Sequence, residues 1–279
     1  MKISEAFDLY KYNYMFFKSQ SKRVLQNHEY VKNRLVNLLG DKDIAQLTLD
    51  DIQEWTSYLL DGRQWNTVRN DIVRLRSVLK YLKDRGEKCL NPNLIPVPKR
   101  RDITRDYLTA FEVSRMIETA CNLRSKFIIS FLYSSGVRLS EFLSLNRQDI
   151  VDRRFQVVGK GGKARVCFID ERTEQLMNEY LSYRDDDCEA LVVSRLNKER
   201  MTPTNVQLAV KNAAHNAGID KHVTPHVFRH SFATNFLANN GNIRYLSALL
   251  GHASVQTTMI YTHVIDNDLE RQYLQFHTI

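Results

Sequence analysis

Four polar clusters in the second half of the sequence carry side chains suited to handling a phosphodiester. The first is Ser135-Gly136-Val137-Arg138-Leu139-Ser140-Glu141, where a glycine ends one helix and an arginine stands where the next begins. A guanidinium grips two phosphate oxygens through its planar fork. Alone, these seven residues equally describe an Arg138–Glu141 pair on a helix surface. The second is His226-Val227-Phe228-Arg229-His230 after Pro225. With Pro225 at a helix start, His226 and Arg229 stand three apart on one face. The spacing of His222, His226 and His230 invites a zinc reading. Pro225 interrupts that run, and there is neither an HExxH glutamate nor a nearby cysteine pair, so no metal site is assigned. The third is Leu250-Gly251-His252, followed nine residues later by Tyr261-Thr262-His263. The fourth is Gly159-Lys160-Gly161-Gly162-Lys163, a tight turn that projects a lysine.

Singly, each has a plain structural explanation: a packed tyrosine, a capping histidine, an exposed turn lysine. Together, two Arg, two His, one Lys and one Tyr make a kit for phosphoryl transfer without a metal. The arginines neutralise the non-bridging oxygens as charge develops. A His or Lys moves protons on the entering and leaving oxygens. A tyrosine hydroxyl is a nucleophile that can hold the phosphate covalently.

The elements that must position these groups are legible from periodicity. The first third reads as helices: Ser4 to Lys18, Lys22 to Leu39 with Gly40 as a stop, a capped start at Thr48-Leu49-Asp50-Asp51 running to Gly62, and Val68 to Arg85 ended by Gly86. In the last of these, Val68, Ile72, Leu75, Leu79 and Leu82 form a core-facing stripe. Beside it Arg69, Arg76, Lys80 and Lys83 form a basic one. Asn91-Pro92, Pro96 and Pro98 break helices, and a basic run containing Lys99, Arg100 and Arg101 follows. Residues 91–106 are therefore read as a linker between a 1–90 helical domain and a 107–279 domain. The second domain opens on a capped helix from Thr109 to Ala120, then a buried apolar helix over 125–133. Strands at 155–158 and 165–169 flank the glycine-lysine turn. Helices are expected at about 171–183, 203–216, 227–239 and 243–249, with Leu191-Val192-Val193 a candidate third strand.

Composition sets the class. The 279 residues carry 40 Lys+Arg against 32 Asp+Glu, a formal net charge of +8. Residues 63–105 hold 12 basic and four acidic side chains, so this stretch alone accounts for that surplus. It marks where a polyanion would be gripped. No apolar run approaches the ~20 residues of a membrane span, and the first residues do not read as a secretory signal. Four Cys without a CxxC pair argue against a disulfide scaffold and fit a reducing cytosol.

Residues 226–264, HVFRHSFATNFLANNGNIRYLSALLGHASVQTTMIYTHV, closely resemble the C-terminal signature of the tyrosine recombinase (phage integrase) family. SSGVRLSEFLSL at 134–145 resembles its first arginine motif and GKGGKARVCFI at 159–169 its lysine hairpin. The resemblance implies a mainly α (α+β) protein: a helical, SAM-like core-binding domain and a catalytic domain of the DNA-breaking-rejoining fold with a small antiparallel sheet. It implies that Arg138 and Arg229 clamp the scissile phosphate and that Tyr261 attacks it. It makes Lys163 the general acid, with Lys160 the less favoured alternative at the hairpin's first shoulder. His226 would assist as base, His252 would hydrogen-bond the phosphate, and Glu141 would orient His226 or Arg138. Arg69, Arg76, Lys80, Lys83, Lys99, Arg100, Arg101 and Lys160 would touch DNA.

The resemblance further implies a cytoplasmic, nucleoid-associated enzyme of prokaryotic or viral origin, with double-stranded DNA sites as partners and no cofactor. It would act as a homo-tetramer, or a hetero-tetramer with a related recombinase, exchanging strands through a Holliday junction. Its C-terminal segment, about Asp268 to Ile279, would dock on a neighbouring protomer. The compact layout is similar to that of Xer-type recombinases, which resolve dimers; simple mobile-element integrases share it. Two alternatives remain at this stage: a type IB topoisomerase-like relaxer, and a DNA-binding regulator without catalysis.

Overall fold

The computed structural model describes residues 1–15, 22–99, 106–159, 162–251, 256, 258 and 259. The chain divides into two compact units, Met1–Ile103 and Thr104–Ile279, each with a large hydrophobic core.

The first unit is built from α1 (Ile3–Tyr10), α2 (Lys22–Leu39), α3 (Leu49–Leu60) and α4 (Trp65–Asp84). The single helix expected from Ser4 to Lys18 changes at Lys11 into a π-helical turn, Lys11–Met15. At the start of α3, the Thr48 hydroxyl accepts from the Asp51 amide (3.2 Å) and the Asp51 carboxylate accepts from the Thr48 amide (2.8 Å). This reciprocal cap fixes where the helix begins. The apolar stripe of α4 is no more than 2% exposed and packs with Ile3, Leu35 and Trp55. Gly86, with φ +80°, lets the chain turn so that the Glu87 amide reaches the Leu82 carbonyl (3.1 Å), closing the helix.

Two polar groups are sealed inside this unit. Asp71 on α4 is gripped by Arg34 from α2 and by Arg74 (2.9 Å) one turn on. His28 lies against the Tyr10 ring, centroids 5.4 Å apart. Burial pushes the His28 pKa down to about 4, and the Arg74 charge lowers it further. The unfolded chain therefore binds a proton between about pH 6.5 and 4 that the folded one refuses. Stability from this group is full above 6.5 and is lost as pH falls toward 4, by up to about 3 kcal/mol. Both tryptophans, Trp55 and Trp65, belong to this unit, so urea melts followed by tryptophan fluorescence at pH 7 and 4.5 measure the effect. His28→Phe should shrink the pH difference; an unchanged difference would contradict the assignment.

The stretch read as the first part of the linker is folded onto α4. Ile95 is buried in the first core. The Trp65 indole donates to the Lys99 carbonyl (3.1 Å), Arg69 Nε to the Pro98 carbonyl (3.0 Å) and Lys83 Nζ to Asn91 Oδ1 (3.2 Å).

The second unit contains α5 (Ala110–Thr119), α6 (Leu123–Ser135), α7 (Leu139–Ser144), the hairpin β1 (Arg154–Val158) and β2 (Ala164–Phe168), then α8 (Glu171–Ser182), α9 (Pro203–Asn216), α10 (Pro225–Ala238) and α11 (Ile243–Leu250). The expected mainly α architecture with a small antiparallel sheet is the one found. Helix α6 is buried all round over residues 127–132 because α5, α8, α9 and α10 surround it. Its Phe127, Ile128, Ile129, Phe131 and Leu132 are at most 1% exposed. In the hairpin, Phe155 faces Cys167 and Val157 faces Arg165 across the strands. Leu191-Val192-Val193 does not add a third strand. It is buried, and it meets its neighbours only through isolated bridges, Asn146 with Ala190 and Val193 with Arg200. Arginine side chains take most of its carbonyls: Arg184 those of Ala190 and Leu191, and Arg124 that of Val193 (2.9 Å), while the Val192 carbonyl accepts from the Met201 amide (3.1 Å). Backbone groups satisfied in this way need no ladder.

Helix α10 ties the unit together. Ser231 accepts from the Leu108 amide (2.7 Å), and Asn235 donates to the Leu108 carbonyl (2.9 Å) and to the Tyr133 hydroxyl (3.1 Å). Among the described residues, no helix is long and apolar enough to cross a membrane.

Candidate active site

Arg138 is delivered by a glycine turn. Gly136 caps α6 with φ +61°, and a Cβ there would run into the Phe232 ring on α10. Both the backbone sign and the close approach of α10 therefore require glycine. The buried Val137 anchors the turn, and Arg138 follows at the entrance to α7 with its side chain about one-third exposed. Glu141, one turn on, accepts from the Arg138 amide (2.8 Å) and from its guanidinium (2.8 Å).

Glu141 is the hub of the cluster, only 5% exposed. Besides Arg138 it receives Arg165 from β2 in a two-pronged contact, 2.8 Å to Oε1 and 2.7 Å to Oε2. Burial alone would raise its pKa. The hydrogen bonds from Arg165 and from the Arg138 amide and side chain overcome that and hold it at about 2. Glu141 is thus a fixed negative charge that aligns two cations.

Arg229 comes from the middle of α10 and is 4% exposed. One of its guanidinium nitrogens donates to the Gly136 carbonyl (2.8 Å) and another to the Leu250 carbonyl (2.7 Å). The Arg165 Nε donates to the neighbouring Leu249 carbonyl (2.7 Å). The last carbonyls of α11, which no helical partner could satisfy, are therefore held by two arginines from different elements. The next residues are Gly251, with φ +63°, and then His252 in the sequence.

His226 stands in the first turn of α10 and is exposed, whereas Arg229 on the same helix is buried. His222 is exposed and His230 buried. Among the described residues, no three or more His, Cys, Asp or Glu side chains gather as a metal-binding group. Lys163 is exposed at the end of the hairpin turn, its carbonyl accepting from the Gly159 amide (2.9 Å). It lies two positions before Arg165, directly ahead of the first residue of β2. Tyr261, His252, Lys160, Arg100, Arg101 and the segment 268–279 lie outside the described residues.

The arginine motifs and the hairpin thus meet through Gly136, Glu141 and α11. Arg165 is the member of this cluster that spacing alone does not single out. Its signal was present: the inward-facing strand position next after Lys163, a charged residue where the pattern calls for an apolar one.

In the first unit, the basic stripe of α4 divides in two. Arg69 and Lys83 spend hydrogen bonds on the 91–99 segment. Arg76 and Lys80 line an open cavity of about 260 Å³ with Val73, Ser77, Pro92, Asn93 and Val97. Lys99 is exposed at the end of that segment.

Residues 106–268 match the model of the phage integrase family. The chain is 32% identical to the tyrosine recombinase XerD of Oceanobacillus iheyensis, covering 93% of this chain and 91% of that protein. It is equally 32% identical to the tyrosine recombinase XerA of Pyrococcus horikoshii, over 92% and 88%. Among solved structures, the crystal structure of XerA recombinase is 28% identical over 99% of this chain and 98% of that one, with a TM-score of 0.56. The Tn1549 transposon integrase in complex with circular intermediate DNA superposes with a TM-score of 0.81 at 18% identity, over 98% and 100%. On the family match and these relatives, the chain belongs to the phage integrase family and is a tyrosine-type site-specific DNA recombinase.

Proposed function

We propose that this recombinase cuts and rejoins DNA through Tyr261, with Arg138 and Arg229 as the phosphate clamp. The tyrosine oxygen attacks the scissile phosphorus. A bond from phosphorus to tyrosine forms, the bond to the 5′ oxygen breaks, and a 3′-phosphotyrosine and a 5′-hydroxyl result. His226 takes the tyrosine proton, a hairpin lysine gives one to the leaving oxygen, and His252 hydrogen-bonds the phosphate. Attack by the 5′-hydroxyl of a second strand reverses these transfers, so rejoining needs no ATP. The observation that best supports this reading is the shared scaffold of the two arginines. Arg229 binds the carbonyl two residues before Arg138, while Glu141 holds Arg138 and the hairpin strand. A duplex nicked next to the cleavage site loses its 5′ end on cutting and should trap the protein covalently. Sequence-specific binding with no adduct would favour a regulator. Relaxation of supercoiled plasmid without recombinant products would favour a topoisomerase-like relaxer.

The general acid is Lys163, which directly precedes the strand that carries Arg165, and Lys160 is the other lysine of the glycine-lysine run. A 5′-bridging phosphorothiolate has a leaving group that needs no proton. It should restore cleavage to Lys163→Ala; rescue of Lys160→Ala alone would move the role to Lys160.

Recombination would proceed on a tetramer over two DNA sites through a Holliday junction, with the 268–279 segment docking on a neighbour. The Xer names of the relatives favour resolution of dimers over mobile-element integration. Grip on DNA would come from the first unit. Changing Arg76 and Lys80 to Gln should reduce the slope of log K against log salt by about 2. An unchanged slope would mean that this face is only solvated.

A further inference from the structure

Arg165, to which no step is assigned above, joins three elements of the second unit. From the second residue of β2, its three nitrogens reach two other elements: both oxygens of Glu141 on α7 and the Leu249 carbonyl at the end of α11. It is 9% exposed in its side chain, and a Cβ on Gly251 would come within 2.8 Å of its Cδ. A neutral side chain of similar size could fill this volume, but only a guanidinium offers three donors in one plane.

We infer that Arg165 is a positioning residue for strand cleavage, locking the lysine hairpin, the Arg138–Glu141 pair and the end of α11 into one rigid unit. The inference rests on the cleavage reading above. Its physical content is that three catalytic motifs, far apart in sequence, keep their mutual spacing through one side chain. Displacement of a reacting group by about 1 Å can cost about 100-fold in rate. The charged and titratable groups around Glu141 are Arg138 on its own helix and Arg165 and Cys167 on β2, with Arg229 on α10 near Cys167. With Arg165 present, Glu141 stays ionised throughout the working range. Without it, burial acts against Arg138 alone, and the carboxyl takes up a proton at a higher pH.

The test compares wild type, Arg165→Gln and Arg165→Lys on a nicked suicide duplex, by single-turnover cleavage from pH 4.5 to 8, with DNA affinity and melting temperature measured in parallel. Both variants should bind DNA within a few-fold of wild type and cleave about 100-fold more slowly, because lysine reaches only one of the three acceptors. Arg165→Gln should also lose rate more steeply than wild type toward the acidic end, because uptake of a proton by Glu141 adds to the protonation of the general base that all three proteins share. Variants that melt earlier yet cleave at the wild-type rate while folded, with the wild-type pH profile, would overturn the inference and leave Arg165 a stabilising residue only. Full rescue by Arg165→Lys would overturn it too. Should Arg165→Gln not fold, Arg165→Lys keeps the stem and the charge and carries both outcomes. If wild type itself forms no adduct, the cleavage reading fails rather than the role of Arg165.

Discussion

Arg229→Ala is expected to slow DNA cleavage by about 10³–10⁵-fold, the range associated with an arginine that meets developing phosphoryl charge. Two effects combine. The variant removes a cation from the cluster, and it leaves the Gly136 and Leu250 carbonyls without the donors that pin the Arg138 turn to the end of α11. Each unsatisfied buried carbonyl costs about 1–3 kcal/mol, so the variant should also melt earlier. Arg229→Lys separates the effects. It retains the charge but cannot span both carbonyls in one plane. Its cleavage rate should therefore lie close to that of Arg229→Ala. A lysine variant near the wild-type rate would mean that charge alone matters at this position. Single-turnover cleavage, read alongside a melting curve and DNA affinity, decides between them.

Tyr261→Phe is expected to abolish covalent capture while leaving DNA affinity within a few-fold of wild type. Phenylalanine keeps the ring and loses only the oxygen that would bond to phosphorus. No neighbouring hydroxyl should substitute at a measurable rate, because the clamp fixes the phosphate against one attacking position. Plasmid recombination should fall to background. Persistence of adduct at the wild-type level would remove Tyr261 from its role.

Much of the fold was legible because local chemistry and tertiary packing agree. Helix α2 begins and ends at the expected residues, Lys22 and Leu39. The reciprocal caps at Thr48 and Thr109 stand where the capping-box pattern put them. The stripe on α4 is buried as its period requires. What escaped was set by distant partners. The change at Lys11 from α to π geometry leaves no mark in the hydrophobic period. Leu191-Val192-Val193 has the composition of a strand, but arginines from α6 and from just beyond α8 occupy its carbonyls. The 91–99 segment has the prolines of a linker, yet Ile95 is drawn into the core and Trp65 and Arg69 hold its backbone.

The site was legible in the same uneven way. Arg138, Glu141 and Arg229 could be chosen by residue type and motif, and the fold brings their motifs together through the carbonyl of Gly136. Their division of labour could not be read from spacing. Glu141 could orient either His226 or Arg138 on the sequence alone; its hydrogen bonds run to Arg138 and Arg165. Arg165 was hidden because a charge on a strand looks like a solvated edge until its partners are known. The basic stripe of α4 read as one face, whereas two of its members brace the following segment.

On the proposed mechanism the strand is cut by covalent transfer to Tyr261. The most direct measurement is to trap wild-type protein on a nicked suicide duplex, digest the adduct with protease and identify the DNA-linked peptide by mass spectrometry. A single linked peptide is expected, spanning Tyr261, with the nucleotide joined through its 3′ phosphate. Linkage to another residue, or through a 5′ phosphate, would contradict it.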